Sequence, residues 1–157
     1  MKLSETISWL KTRVQDNLFP HLKECCSDPL TAIQKDLVIL MGELATAVDD
    51  LPRYVKDGFS LVTPDMLVKL DQGVQEIENG TVDFKGWATP GATTNSAALD
   101  VARTVCRRAE RRVCALHETD QLHNPHIIVY LNRLADLLWL FARWVETKAD
   151  SKNGNIR

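Results

Sequence analysis

The feature that most constrains the fold is a long run of apolar residues at three- and four-residue spacing near the C-terminus. This run predicts an α-helix from about Pro125 to Lys148, because the spacing places every member on one helical face. A second run predicts a helix from about Ser96 to His117. The first stripe consists of Ile127, Leu131, Leu134, Leu138, Phe141 and Val145, and the second of Ala98, Ala102, Val105, Ala109, Val113 and Leu116. Helices of this kind bury their stripes against one another, so the chain is expected to form a helical bundle.

Three further segments have helical spacing. The first begins near Leu3 and is ended or kinked by Pro20, the second opens at Asp28, and the third runs from the cap at Thr63 to Asn79. The second segment has its stripe at Ile33, Leu37, Leu40, Leu44 and Val48. Residues 81–94 lack a sustained period and are expected to form an extended loop. The sequence therefore predicts an all-α, five-helix bundle in one domain over residues 1–149, followed by a polar tail at 150–157.

Composition limits the classes of partner. The 157 residues include 19 Lys and Arg against 21 Asp and Glu, so the net charge of −2 gives no general attraction to nucleic acid or to an anionic membrane. The N-terminus lacks the apolar block of a signal peptide, and no apolar run is long enough to cross a bilayer.

The spacing of the four cysteines disfavours disulfide bonds within either pair. Cys25 and Cys26 are adjacent, while Cys106 and Cys114 would lie about 12 Å apart on one helix, which is beyond the reach of a disulfide. We expect free thiols and a cytoplasmic protein.

The fourth predicted helix carries an unusual concentration of positive charge. Its arginines are Arg103, Arg107, Arg108, Arg111 and Arg112. Three of them, at positions 103, 107 and 111, share one helical face with Glu110 beside them, close to the apolar stripe. Guanidinium groups at the margin of a core are suited to binding phosphate or carboxylate. A ladder of ion pairs at the surface or between subunits is an equal alternative, and a nucleic-acid-binding helix is a weaker one.

Two other polar sets are less informative. On the last helix Asn132, Asp136 and Arg143 fall near one another, where they could recognise a ligand or join helices. The three histidines at positions 117, 123 and 126, together with Cys114, match no zinc-binding spacing, so no metal site is assigned to them.

Three motifs resemble one family. The stretches W-A-T-P-G, S-A-A-L-D-V-A-R-T-V-C-R-R-A-E-R and Y-L-N-R-L-A-D-L-L-W-L-F-A-R are similar to those of the PduO-type ATP:cob(I)alamin adenosyltransferases. The resemblance implies a five-helix bundle assembled as a homotrimer, with active sites between subunits. It also implies transfer of the 5′-deoxyadenosyl group of ATP to the cobalt of reduced cobalamin, release of triphosphate, a requirement for Mg²⁺, and delivery of the product to an adenosylcobalamin-dependent acceptor enzyme.

The resemblance also implies residue roles in ATP binding and catalysis. Arg107 and Arg111 match the arginines that face ATP, and Glu110 matches their orienting or magnesium-side partner. Asn132 matches the nucleotide contact on the last helix. This chemistry fits the residues, because cobalt(I) is itself the nucleophile and the protein has to supply orientation and positive charge for the leaving triphosphate.

Two residues are assigned to the corrinoid by the same resemblance. Arg103 matches an arginine whose inter-subunit ion pair is important for corrinoid binding, with Glu5 and Asp16 as the nearest acidic candidates. Trp87 stands where the family usually has a phenylalanine that closes the lower face of the corrin ring, displaces the axial ligand and eases reduction of cobalt(II). An isolated loop tryptophan could equally pin the loop to the bundle.

The chain departs from the family pattern in three places. The usual T-x-x-G-D-x-G segment, which wraps the ATP phosphates, has no match in the printed sequence, and the chain is expected to begin directly in its first helix. Asp100 stands in place of the usual histidine, and Ala92 in place of a second glycine. The alternative function is therefore a non-catalytic relative that binds a corrinoid or delivers adenosylcobalamin without binding ATP. A third is a structural trimer whose arginines only join subunits.

Overall fold

The computed structural model describes residues 27–80, 82 and 89–152. Five helices lie within these ranges: α1 Ser27–Ala45, α2 Leu51–Lys56, α3 Pro64–Glu78, α4 Thr94–Glu118 and α5 His126–Lys152. The described ranges contain no β-strand, and the predicted all-α class is confirmed. The first predicted helix, with Cys25 and Cys26, lies outside the described residues. None of the described helices is both long and apolar enough to span a membrane.

Helices α4 and α5 pack along their lengths, and α3 packs on another side of α5. The predicted stripes of both long helices lie in the core, with Ala98, Leu116 and Val145 at its partly buried margin. The apolar surface of α5 is wider than its stripe, because Tyr130 and Leu137 are also buried. This width follows because α5 packs against α4 and α3 on different sides, and because the Tyr130 hydroxyl also donates to Asp36 of α1 at 3.2 Å.

The second predicted helix is three residues too long at its end, and one short helix was not predicted. Helix α1 ends at Ala45, and Val48 lies in a 3-10 turn, Val48–Asp50, with 41% of its surface exposed. The extended backbone of Ala47 separates the two elements, although the apolar spacing continues past it. The segment between the second and third predicted helices, to which the sequence assigned no helix, contains α2, where Pro52 supplies the fixed φ of a first helical turn. Helix α5 continues through Lys152, into the predicted polar tail.

The start of α4 is fixed by a reciprocal cap. The Thr93 hydroxyl accepts a hydrogen bond from the Ser96 backbone N–H at 3.0 Å, while the Ser96 hydroxyl oxygen accepts one from the Thr93 N–H at 3.0 Å. Gly91, with φ of +92°, supplies the left-handed turn just before the cap. The loop that carries the W-A-T-P-G motif therefore enters α4 at a defined point.

A buried carboxyl group holds three elements together beside α5. Glu43, 5% exposed, accepts hydrogen bonds from the Val62 N–H at 2.6 Å and from Asn124 Nδ2 at 2.8 Å. The same amide nitrogen donates to the Val62 carbonyl at 2.9 Å, and Asn124 Oδ1 accepts from the His126 N–H at 3.1 Å. Glu43 thereby ties the end of α1 to the segment before α3 and to the first residue of α5.

Replacing Glu43 with alanine is expected to lower the free energy of unfolding by about 3 kcal/mol, because a buried donor left without its partner costs about 1–3 kcal/mol and two donors are affected. Glu43→Gln keeps an acceptor for Val62 and should lose less. Urea unfolding followed by circular dichroism measures both values. Equal stability of the alanine variant and the wild type would mean that this clamp contributes nothing.

Candidate functional site

The polar residues of α4 and α5 meet around Glu110. Its Oε2 lies 2.6 Å from Nη1 of Arg107, one turn earlier on α4, and its Oε1 accepts a hydrogen bond of 3.0 Å from Nδ2 of Asn132 on α5. Glu110 is 8% exposed, whereas 42% of the Arg107 side chain is exposed. The structure thus brings together three of the residues that the resemblance assigns to the ATP site.

This arrangement orients two groups at once. With one nitrogen held by Glu110, the exposed guanidinium of Arg107 keeps further N–H donors for an anion. Asn132 uses its amide nitrogen on Glu110, so its carbonyl oxygen points away from that bond and remains an acceptor. A carboxylate that fixes an arginine and an amide in this way is suited to recognising a phosphate together with a neighbouring polar group.

Arg103 and Arg111 lie on the same side of α4 but outside this network. Arg103 is half-buried and Arg111 is exposed, and neither forms an ion pair with any residue that the structure describes. The acidic candidates for Arg103, Glu5 and Asp16, fall outside the described residues. Both arginines therefore present their charge to solvent, or to groups beyond the described part of the chain.

The three polar residues of the last helix do not act as one set. Asp136 is exposed and lies 3.9 Å from Arg133, on its own helix. Arg143 is buried and bonds Asp100 of α4, three helical turns from Asn132 along α5. The spacing on the helix predicted that these residues lie near one another, but each has a different partner. The antiparallel helix α4 offers Glu110 to Asn132 and Asp100 to Arg143, while Asp136 stays exposed beside Arg133.

Trp87 lies outside the described residues, but the segments on either side of it are described. Val82 is half-buried and packs against the core, and Thr93 begins the cap of α4. A cavity of about 250 Å³ lies elsewhere, between α1, α3 and α5, and its lining includes none of the α4 arginines.

Comparison with known proteins decides the family. The sequence model of the cobalamin adenosyltransferases matches residues 3–145. The chain belongs to this family. It is 34% identical over 124 residues to a cobalamin adenosyltransferase of Cupriavidus metallidurans, a match that covers 79% of this chain and 61% of that protein. It is 32% identical over 129 residues to a corrinoid adenosyltransferase of Mycobacterium leprae, covering 79% and 65%.

Solved structures of the family have the same fold. A variant PduO-type ATP:corrinoid adenosyltransferase from Lactobacillus reuteri, complexed with cobalamin and ATP, superimposes with a TM-score of 0.75 at 28% identity. The match covers 90% of this chain and 73% of that one. Another variant of the same enzyme, complexed with ATP, matches with a TM-score of 0.75 at 27% identity. Measured against the two curated relatives above, this member of the family spans somewhat under two thirds of their length.

Cys106, the residue before Arg107 on α4, is buried, and its burial was not predicted from the sequence. The Cys106 thiol, 6% exposed, donates to the carbonyl of Leu131 at 3.2 Å, directly before Asn132. Burial raises the pKa of this thiol to about 12, and the carboxylate of Glu110 adds to the rise. When α4 is viewed along its axis, Cys106 falls next to the predicted apolar stripe. This position could have predicted its burial from the sequence.

Cys106 is expected to resist alkylation at pH 8, whereas the partly exposed Cys114 should react. Trypsin cleaves after Arg103, Arg107 and Arg112, so mass spectrometry of separate peptides distinguishes the two sites. Because the folded pKa is raised, the stability that Cys106 contributes is complete below about pH 9 and declines as the pH rises toward 12. Equal labelling of both thiols in the folded protein would contradict the assigned burial.

Proposed function

We propose that this chain acts as an ATP:corrinoid adenosyltransferase, which moves the 5′-deoxyadenosyl group of ATP to the cobalt(I) of cobalamin and releases triphosphate. Its membership of the family and the names of its relatives support this reaction. The observation that carries the proposal is the Arg107–Glu110–Asn132 network, which joins an exposed guanidinium to a fixed amide on the neighbouring helix.

The network suits the charge changes of this reaction. A cobalt–carbon bond forms as the bond between the 5′ carbon and the phosphate oxygen breaks, and the electron pair of that bond leaves with triphosphate. Arg107 is placed to stabilise the added negative charge because Glu110 already fixes its direction. Arg111 supplies a second positive charge one turn further along α4. Asn132 is the candidate contact for the nucleoside part of ATP.

The residues present also fit a magnesium ion. Mg²⁺ bound with a nucleotide takes most of its ligands from phosphate and water and needs only one or two carboxylates. Glu110 is the carboxylate beside Arg107, and each of its oxygens has a second lone pair beyond the bond it accepts. Glu110 would hold the ion, which would neutralise charge on the leaving triphosphate.

The corrinoid half of the proposal rests on Arg103 and Trp87. We assign Arg103 to the ion pair between subunits that supports corrinoid binding, and Trp87 to the lower face of the corrin ring. The half-buried position of Arg103, without an ion pair in the described part of the chain, supports a partner from another subunit.

We further propose a single-domain cytoplasmic homotrimer that serves an adenosylcobalamin-dependent acceptor enzyme. Unpaired arginines on α4 and exposed valines on both long helices support contacts between subunits. The two described cysteines are free, as expected in a reducing compartment. Sedimentation equilibrium should give three times the 17.7 kDa chain mass. A monomer at micromolar concentration would contradict the trimer.

The deciding experiment mixes purified protein with ATP, Mg²⁺ and chemically reduced cobalamin and follows the absorption spectrum. We expect the spectrum of adenosylcobalamin to develop and one triphosphate to be released for each product molecule. A reaction without ATP is the control for non-enzymatic change. Tight corrinoid binding without product would instead support the delivery protein, and binding of neither substrate would support the structural trimer.

A further inference from the structure

A buried ion cluster near the start of α4 is not used by the ATP site. Arg143, with 5% of its side chain exposed, donates from Nη2 to Asp100 Oδ2 at 2.9 Å and to Glu146 Oε1 at 3.0 Å. Its Nε lies 2.8 Å from Glu146 Oε2 without the alignment of a hydrogen bond. The ring of Trp139 lies under the guanidinium, 5.9 Å from its central carbon. We call Asp100, Arg143 and Glu146 the ion cluster.

The ion cluster carries more negative than positive charge. Its two carboxylates, only 14% and 16% exposed, face one guanidinium. Arg103 stands one helical turn after Asp100 and has no ion pair of its own among the described residues. The excess negative charge therefore lies about one helical turn from the positive charge of Arg103, and charges of opposite sign at this spacing attract.

The ion cluster is one of three polar ties between α4 and α5 in the part of the chain that the structure describes. The others lie further along α4 and are the hydrogen bond between Glu110 and Asn132 and the one from the Cys106 thiol to the Leu131 carbonyl. Asp100 and Glu110 are about 15 Å apart along α4, and Arg103 and Arg107 lie between them on the same face. A helix held near Asp100 and again near Glu110 cannot turn about its axis without breaking a tie, so the ties together set the direction of the side chains between these two residues.

We propose that the ion cluster is a positioning device for the corrinoid half of the site. It holds the first turns of α4, and with them Arg103, which we assigned to the corrinoid. Arg107 has its own tie through Glu110 and does not depend on the ion cluster. This inference rests on the proposed function, and it assigns separate anchors to the two substrates.

Asp100→Asn tests the assignment, because it removes the charge and keeps an oxygen that can accept from Arg143. We expect the Kd for cob(II)alamin, measured by absorption, to rise about tenfold or more, while the Kd for ATP with Mg²⁺, measured by calorimetry, changes less than about twofold. Asn132→Ala should show the reverse pattern. Asp71→Asn is the matched control, since Asp71 joins α3 to α5 through an exposed pair with Arg133 at 3.2 Å, and it should change neither Kd.

Amide hydrogen exchange provides a readout that needs no ligand. Asp100→Asn should speed exchange in the segment Thr94–Arg103 and leave the segment around Glu110 unchanged. Glu146→Gln removes the same charge from the α5 side and should reproduce both results, so the test stands even if Asp100→Asn folds poorly. Equal changes in the two Kd values, or exchange that is unaltered or uniformly faster along α4, would overturn the proposal. A wild type that binds both ligands without turnover would refute the proposed function while leaving the split in Kd as a test of the positioning role.

Discussion

Replacing Arg107 with alanine is expected to abolish adenosyl transfer and to weaken ATP binding about 10- to 150-fold. The loss in binding corresponds to one charge-assisted contact of about 1.5–3 kcal/mol. The loss in rate is expected to be larger, about 10³-fold or more, because an arginine that stabilises a leaving phosphate chain contributes most in the transition state. The fold should survive, since 42% of this side chain is exposed.

The measurement is ATP affinity by calorimetry together with the rate of adenosylcobalamin formation. Arg112→Ala is the matched control, because it removes an exposed arginine from the neighbouring face of the same helix. Arg107→Lys keeps the positive charge but lacks the planar guanidinium that can bind a phosphate through two N–H groups, so it should recover part of the affinity for ATP. Wild-type affinity and rate in the alanine variant would place the ATP site elsewhere.

Most of the helical framework could be predicted because its signals are local. The cap at Thr63, the stop at Asn79 and the stripes of α4 and α5 all appear within a few residues of where the structure has them. Apolar spacing records which face of a helix is buried, and a cap supplies the hydrogen bonds that its first turn lacks. These features require no knowledge of the rest of the chain.

The errors lie where tertiary contacts or backbone geometry override periodicity. The spacing continues to Val48, but the extended backbone at Ala47 ends the helix first. Helix α2 is short and has no buried residue, so its sequence carries no stripe to detect. Its position depends on contacts such as Tyr54 stacked on Phe59, with ring centres 4.7 Å apart.

The candidate site shows the same division between local and distant pairs. Arg107 and Glu110 are three residues apart, so their contact could be predicted from helical spacing alone. The bonds from Glu110 to Asn132 and from Asp100 to Arg143 depend on how α4 aligns with α5. Spacing gives the face of each helix but not the relative shift between two helices, so these pairs could not be predicted.

Replacing Trp87 with alanine is expected to abolish the formation of four-coordinate cobalt(II) when the protein is mixed with cobalamin. If the indole covers the lower face of the corrin ring, its removal allows the axial ligand to return to cobalt. The ends of the loop should be unaffected, because Val82 packs on the core and the Thr93 cap holds the start of α4. Thermal stability and oligomeric state are therefore expected to stay close to those of the wild type.

The spectrum of cob(II)alamin with ATP and protein measures this effect, and thermal unfolding supplies the comparison. Trp87→Phe, which keeps an apolar ring, should retain the four-coordinate species. A tryptophan that only pins the loop would behave in the opposite way, since truncating a buried aromatic costs about 3–5 kcal/mol of stability. An alanine variant that is strongly destabilised yet still forms four-coordinate cobalt(II) would refute the corrinoid role. The Arg107–Glu110–Asn132 network would then be the remaining structural support for the proposed reaction, because it does not depend on the loop.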